Sequence, residues 1–149
     1  MCALRLSSGT RTALAGTRGI KDIFNGGVID IYTGGQPASA DYAETGSKLV
    51  RISLISGTST TSGLTFGTAA AGLIPKSADV WSGLISLAGV AGYFRLYGTA
   101  GTSGSSDTER RIDGNVGVSG SDLVLSNTSL TLNATLTIDQ FTLGVPASS

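Results

Sequence analysis

Leu130-Thr131-Leu132-Asn133-Ala134-Thr135-Leu136-Thr137-Ile138 sets an apolar side chain at every second position, with Thr131, Asn133, Thr135 and Thr137 between them. A period of two is the repeat of a strand, whose successive side chains point to opposite faces. The stretch therefore predicts a half-buried strand with one apolar face and one face of small polar groups. Leu123 and Leu125 before it, and Phe141, Leu143 and Val145 after it, extend the strand character to a tail of Pro146-Ala147-Ser148-Ser149.

The same signature recurs upstream. Val28-Ile29-Asp30-Ile31-Tyr32 is rich in β-branched and aromatic residues and ends at Thr33-Gly34-Gly35, which reads as a strand and its turn. Gln36 to Asp41 is a turn-rich connector. Leu49 to Ile55 then alternates, with Val50, Ile52 and Leu54 on one face and Arg51 and Ser53 on the other. Ser56 to Ser62 reads as a loop, Leu64-Thr65-Phe66 as a short strand, and Ala69 to Gly72 as a small-residue run leading to Leu73-Ile74-Pro75-Lys76. Val80 to Ile85 and Tyr93 to Tyr97, joined by flexible Ala88 to Gly92, predict a central hairpin. Thr99 to Thr108 is too poor in apolar side chains to offset its ordering entropy and reads as an exposed, mobile loop. Asp113-Gly114 predicts a tight turn before Val116 to Val118, with another turn at Ser119-Gly120. About eight short strands suit an antiparallel β-sandwich or a small barrel.

Helical character is confined to the start. Ser7, Ser8 and Thr10 offer capping oxygens, Leu14, Ile20, Ile23 and Phe24 fall near helical spacing, and Gly26-Gly27 stops the segment. Gly16 and Gly19 interrupt it, which predicts a pair of short helical turns in place of one rod. The expected organisation is an N-terminal arm over residues 1–27 and a single β domain over 28–149.

With 149 residues the chain suits one domain with a real core. Lys plus Arg and Asp plus Glu number ten each, so the net charge of zero draws it neither to nucleic acid nor to an anionic membrane. Charged residues make up only 13%, and small hydroxyl residues with 22 glycines take their place. Such a surface is cheap to desolvate against another protein. Cys2 is the single cysteine, so no internal disulfide is expected. No apolar run suggests a signal peptide or a bilayer span, and a protein made and kept soluble is expected.

The chemistry-bearing residues are sparse. Histidine is absent, and with it the commonest general base and metal ligand. A lone cysteine cannot build a thiolate cluster, and neither a Ser-His-Asp nor a Cys-His arrangement is available. Asp30, Asp41, Asp79, Asp113, Asp122 and Asp139 are spread singly, and the expectation places most of them beside turns. No glycine-rich stretch has the spacing of a phosphate loop, Gly46-Ser47-Lys48 included, and the acids lack the spacing of a calcium loop. Arg110-Arg111 reads as a solvated, turn-flanking pair, and Trp81, Tyr93, Phe94 and Tyr97 as core in preference to a sugar-stacking platform. No catalytic, cofactor or metal residue is predicted, no cofactor is expected, and the position of an interface is not readable.

One resemblance covers nearly the whole chain. Arg5-Leu6-Ser7, Gly19 to Gly34 and Gln36 to Asp41 resemble the opening of a family of small tailed-bacteriophage virion structural proteins. The aromatic strands around Trp81 and Tyr93 to Tyr97, the Gly/Ser loop, Arg111-Ile112-Asp113-Gly114 and Val118 to Leu123 continue the likeness. The family carries no catalytic motif. The resemblance implies a non-enzymatic capsid decoration or cement protein that binds at junctions between major capsid protein subunits, on the outer surface of the virion, after synthesis in the host cytoplasm. Its implied partners are the major capsid protein and copies of itself, a trimer being one arrangement, with no nucleic acid or membrane partner. A tail, head-tail adaptor or fibre component is the alternative.

Overall fold

A strand survives at the centre of a sheet only if both of its faces are covered, and the run from Val28 meets that condition with Ile29 and Ile31 on one side and Asp30 and Tyr32 on the other. The computed structural model describes residues 4–56, 59–98 and 103–144. In chain order these form β1 (Arg5–Leu6), α1 (Ser8–Ala15), α2 (Ile20–Phe24), β2 (Val28–Thr33), β3 (Lys48–Ser56), β4 (Ser59–Ser62), β5 (Leu73–Pro75), β6 (Trp81–Leu84) and β7 (Gly89–Tyr97). They continue with β8 (Arg111–Gly117), β9 (Leu123–Val124), β10 (Ser129–Leu130), β11 (Thr135–Ile138) and β12 (Thr142–Gly144). The protein is mainly β with a short helical N-terminal segment, as its patterning predicts.

The main sheet runs β1-β8-β7-β2-β3-β6-β11, with β10 joined to β7, β4 to β3 and β9 to β8, while β12 and β5 form a separate pair. Apart from the parallel β8–β9 contact, the pairings are antiparallel. Ile52, Ile29, Leu96, Ile112 and Leu6 form one cross-strand row, and Val50, Ile31 and Phe94 the next. These side chains share a core with Ile23, Phe24, Leu64, Phe66, Trp81, Phe141 and Leu143. Edge-to-face contacts of Phe66 with Trp81 and of Phe94 with Phe141 lock the aromatic part of that core.

The N-terminal residues do not stand off as the arm that was expected. Leu6 pairs with Ile112 in the sheet, and Ile20, Ile23 and Phe24 are buried in the shared core. Ser7 begins α1 as a capping residue, accepting from the Thr10 amide at 3.2 Å, and also ties the helix to β8 by accepting from the Arg111 amide at 2.9 Å. Gly9 permits the close seat, since a Cβ there would stand 2.2 Å from the Thr108 carbonyl oxygen. The pair of helical turns forms as predicted, but no boundary separates residues 4–27 from the β domain.

Four strand and turn assignments also change. The hairpin expected between Val80–Ile85 and Tyr93–Tyr97 is absent: β6 pairs with β3 and β11, and β2 and β3 lie between it and β7. Arg95 of β7 instead has Asp30 opposite it on β2 and Asp113 opposite it on β8, and it forms a forked ion pair with Asp113. The alternating Leu130–Ile138 stretch is two strands, because Asn133 takes φ 67° in a turn between β10 and β11. Asparagine tolerates this left-handed geometry, and the apolar period continues through the turn although Leu132 is exposed there. Asp113-Gly114 is no turn but lies within β8, where Gly114 leaves room for the Phe94 ring, 2.6 Å from where a Cβ would sit. Of Leu64–Phe66, only an isolated bridge from Phe66 to Lys76 has strand character.

Candidate functional site

On the face of the sheet opposite the apolar core, alternation brings five charged residues into one line. Arg51 faces Asp30, Asp30 faces Arg95, Arg95 faces Asp113, and Asp113 faces Arg5, each on the neighbouring strand. Opposite charges thus alternate across β3, β2, β7, β8 and β1. Arg95 holds Asp113 through a two-pronged contact, Nε to Oδ1 at 2.6 Å and Nη2 to Oδ2 at 2.8 Å, with both side chains fully buried. Arg51 grips Asp30 in the same way at 2.7 and 2.8 Å, from a half-exposed position. Such forked pairs fix geometry as well as charge.

Tyrosines flank the line. Tyr32 and Tyr93 stack with ring centroids 5.1 Å apart, and the Tyr32 hydroxyl lies 3.3 Å from that of Tyr97. The Arg111 guanidinium lies 5.7 Å from the Tyr97 ring centre. Burial pushes the hydroxyls of Tyr32, Tyr93 and Tyr97 up, away from phenolate formation.

Residues 34–47, between β2 and β3, lie over this polar face as a strap. Arg5 donates to the Pro37 carbonyl at 2.6 Å, Arg111 to that of Ala40 at 3.3 Å, and Arg95 to that of Tyr42 at 2.9 Å. The Tyr93 hydroxyl donates to the Thr45 carbonyl at 2.7 Å and accepts from the Thr45 amide at 2.9 Å. Glu44 reaches into the line itself. It accepts from the Tyr97 hydroxyl at 2.6 Å, from Arg95 at 3.2 Å and from the Gly104 amide at 3.0 Å. Burial alone would raise the Glu44 carboxyl, but the Tyr97 and Gly104 hydrogen bonds and the Arg95 charge hold it below its ordinary value. Asp41, three residues earlier in the strap, binds the Ser8 amide at 2.7 Å and the Ser8 hydroxyl at 2.5 Å, and these bonds with Arg11 and Arg111 outweigh its desolvation and lower its carboxyl.

Several expected positions are revised here. Asp30 and Asp113 sit in mid-strand and not beside turns, because each is neutralised by an arginine across the sheet. Arg111 is buried, so Arg110-Arg111 is not a solvated pair. Thr99 to Thr102 fall outside the described residues, but 103–108 is held, with the Ser106 amide donating to the Asp41 carbonyl and Gly104 bound to Glu44. Trp81, Tyr93, Phe94 and Tyr97 are all buried. Glu44 and Tyr32 had no sequence motif to mark them. The legible signal was a charge amid apolar strand residues, at Asp30 and at Arg95, which calls for a partner.

The arrangement is a closed brace whose carboxylates are bound to arginines, hydroxyls or amides. Among the described residues, no group of three or more His, Cys, Asp or Glu could hold a metal ion. A depression of about 410 Å³ beside the strap is lined by Arg5, Leu6, Arg11 and Ala38 to Ala40, with no carboxylate in its lining.

A second surface is apolar and open. The connection from β6 to β7 and the turn between β10 and β11 run side by side through the pairs Leu84 with Thr135, Gly89 with Leu130 and Val90 with Ser129. Along this rim Leu84, Leu87, Val90 and Leu132 are 60%, 46%, 60% and 50% exposed. Residues 80–94 and 123–138, which build it, contain no charged side chain. No protein-family model matches the chain, and no curated protein or solved structure matches it either.

Proposed function

We propose that this chain is a non-enzymatic structural protein that works by packing against other protein subunits, as a decoration or cement component on the outer surface of a tailed-phage capsid. The observation that carries the packing role is the rim of Leu84, Leu87, Val90 and Leu132, set in segments without a single charge. Apolar side chains left in water on an uncharged surface gain from being covered, and covering them strands no charge. The braced polar face supports a mechanical reading, because its buried groups are engaged with one another and hold the strap to the sheet. The capsid location rests on the resemblance of Gly19 to Gly34, Gln36 to Asp41 and Arg111 to Gly114 to phage virion proteins. The major capsid protein is the partner this reading names.

The test is a cryo-EM reconstruction of purified particles that contain the protein, with its density located and its copies counted. Density repeated over the shell at junctions between capsid subunits is the expected result. Density confined to the tail or portal vertex would move the protein to the adaptor or fibre class, and absence from the particle would overturn both.

A further inference from the structure

A sheet ends in two edges, and this one treats them differently. At one end β1 is only two residues long and carries Arg5, the kind of short, charged edge that resists further pairing. At the other end β11 reads Thr135-Leu136-Thr137-Ile138, with neither charge, proline nor bulge. Among the described residues, no strand pairs with its outer side.

The direction of the free groups follows from the inner pairing. Ile85 turns both its backbone groups toward the β11 side, its amide donating to Ala134 at 2.8 Å and its carbonyl accepting from Asn133 at 2.9 Å. Alternation gives the same direction to Gly83, the partner of Leu136, and so leaves the amides and carbonyls of Thr135 and Thr137 pointing away from β6. Both threonine side chains are exposed on the outer face of the sheet, and Leu136 and Ile138 share the core face with Trp81.

We infer that the outer edge of β11 pairs antiparallel with β11 of a second copy of this chain, about a two-fold axis at Leu136. An extended strand can take that row of backbone groups from water pair by pair, and this strand is complementary to itself. With Leu136 opposite its own copy, Thr135 of each chain bonds Thr137 of the other, and the free amides and carbonyls are all used. The same register keeps the core faces of the two sheets continuous and sets Leu136 against Leu136, an apolar pair, with threonine against threonine on the outer face. A charged or β-bulged edge would forbid this, and neither is present. The self-pairing is a dimer contact and does not depend on the capsid location.

The experiment is sedimentation equilibrium on the full chain with two double variants at exposed positions. The wild type is expected to dimerise reversibly. Thr135→Lys with Thr137→Lys sets lysine against lysine twice and should weaken the dimer about tenfold or more. Thr135→Lys with Thr137→Glu sets lysine against glutamate and should dimerise at least as well as the wild type. A wild type that stays monomeric up to about 1 mM, a doubly lysine variant that still dimerises normally, or a Lys/Glu variant as weak as it, overturns the inference. Amide exchange at Thr135 and Thr137 in the unmodified protein gives an independent reading, with protection expected to rise with concentration. A dimer that never decorates particles would sink the capsid reading and leave this one standing, and a monomer found on the shell would do the reverse.

Discussion

The Glu44 carboxylate and the Tyr97 hydroxyl meet at 2.6 Å, joining the strap over the polar face to the central strand beneath it. The same carboxylate takes the Gly104 amide and an Arg95 N–H, so one side chain holds three parts of the chain together. Glu44→Ala takes from the Tyr97 hydroxyl and from Arg95 the carboxylate they share, leaving them the Tyr32 hydroxyl and the Tyr42 carbonyl, at a cost of roughly 1–3 kcal/mol. Urea unfolding should show that loss, and amide exchange should quicken first across 34–47 and 103–108. A change confined to the apolar core would contradict the strap's dependence on Glu44.

Acid should release the strap before it melts the core. Glu44 and Asp41 are held below their ordinary values of 4.5 and 3.8, so in the unfolded chain they bind protons at higher pH than in the folded one. Their contribution to stability is full above those unfolded values and is lost as pH falls through the lower folded ones. Denaturation followed from neutral pH downward should show stability falling below pH 4.5, with a shallower fall in Glu44→Gln. An identical slope in that variant would remove Glu44 from the account.

Arg95 and Asp113 make the least exposed link in the line, and removing one partner strands the other. Asp113→Ala should cost about 3–5 kcal/mol, whereas Arg95→Met with Asp113→Leu should recover much of that by replacing the pair with apolar volume. Thermal melts of the single and double variants decide this. A double variant less stable than the single would mean that Arg95 matters chiefly through Tyr42 and Glu44.

How far the sequence discloses this structure depends on what each signal encodes. The fold class is legible because β-branched and alternating runs such as Val28–Tyr32 and Leu49–Ile55 encode burial directly. Strand pairing is not, because periodicity says which face is buried and nothing of which neighbour is chosen, and so the Trp81 and Tyr93 strands look like a hairpin although β2 and β3 lie between them. Asp113-Gly114 has turn composition, yet its glycine serves the Phe94 ring and its aspartate serves Arg95. Glu44 is invisible for a similar reason: it is an ordinary loop acid until the sheet places Tyr97 and Arg95 beneath it.

The N-terminal segment offers the sharpest contrast between an appended arm and an integral part of the body. Phe24 is fully buried and Ile23 nearly so, and Leu6 sits at the end of the Ile52-Ile29-Leu96-Ile112 row. Phe24→Ala should therefore cost about 3–5 kcal/mol, the range for emptying a buried aromatic site. Deleting residues 1–24 should do more, exposing the core on one side and removing the Ser7 bonds to Glu109 and Arg111. The truncated chain should lose its cooperative thermal transition and bind a hydrophobic dye. A truncated body that melts cooperatively near the full-length temperature would restore the arm as a separable element and make its packing against β8 incidental to the fold.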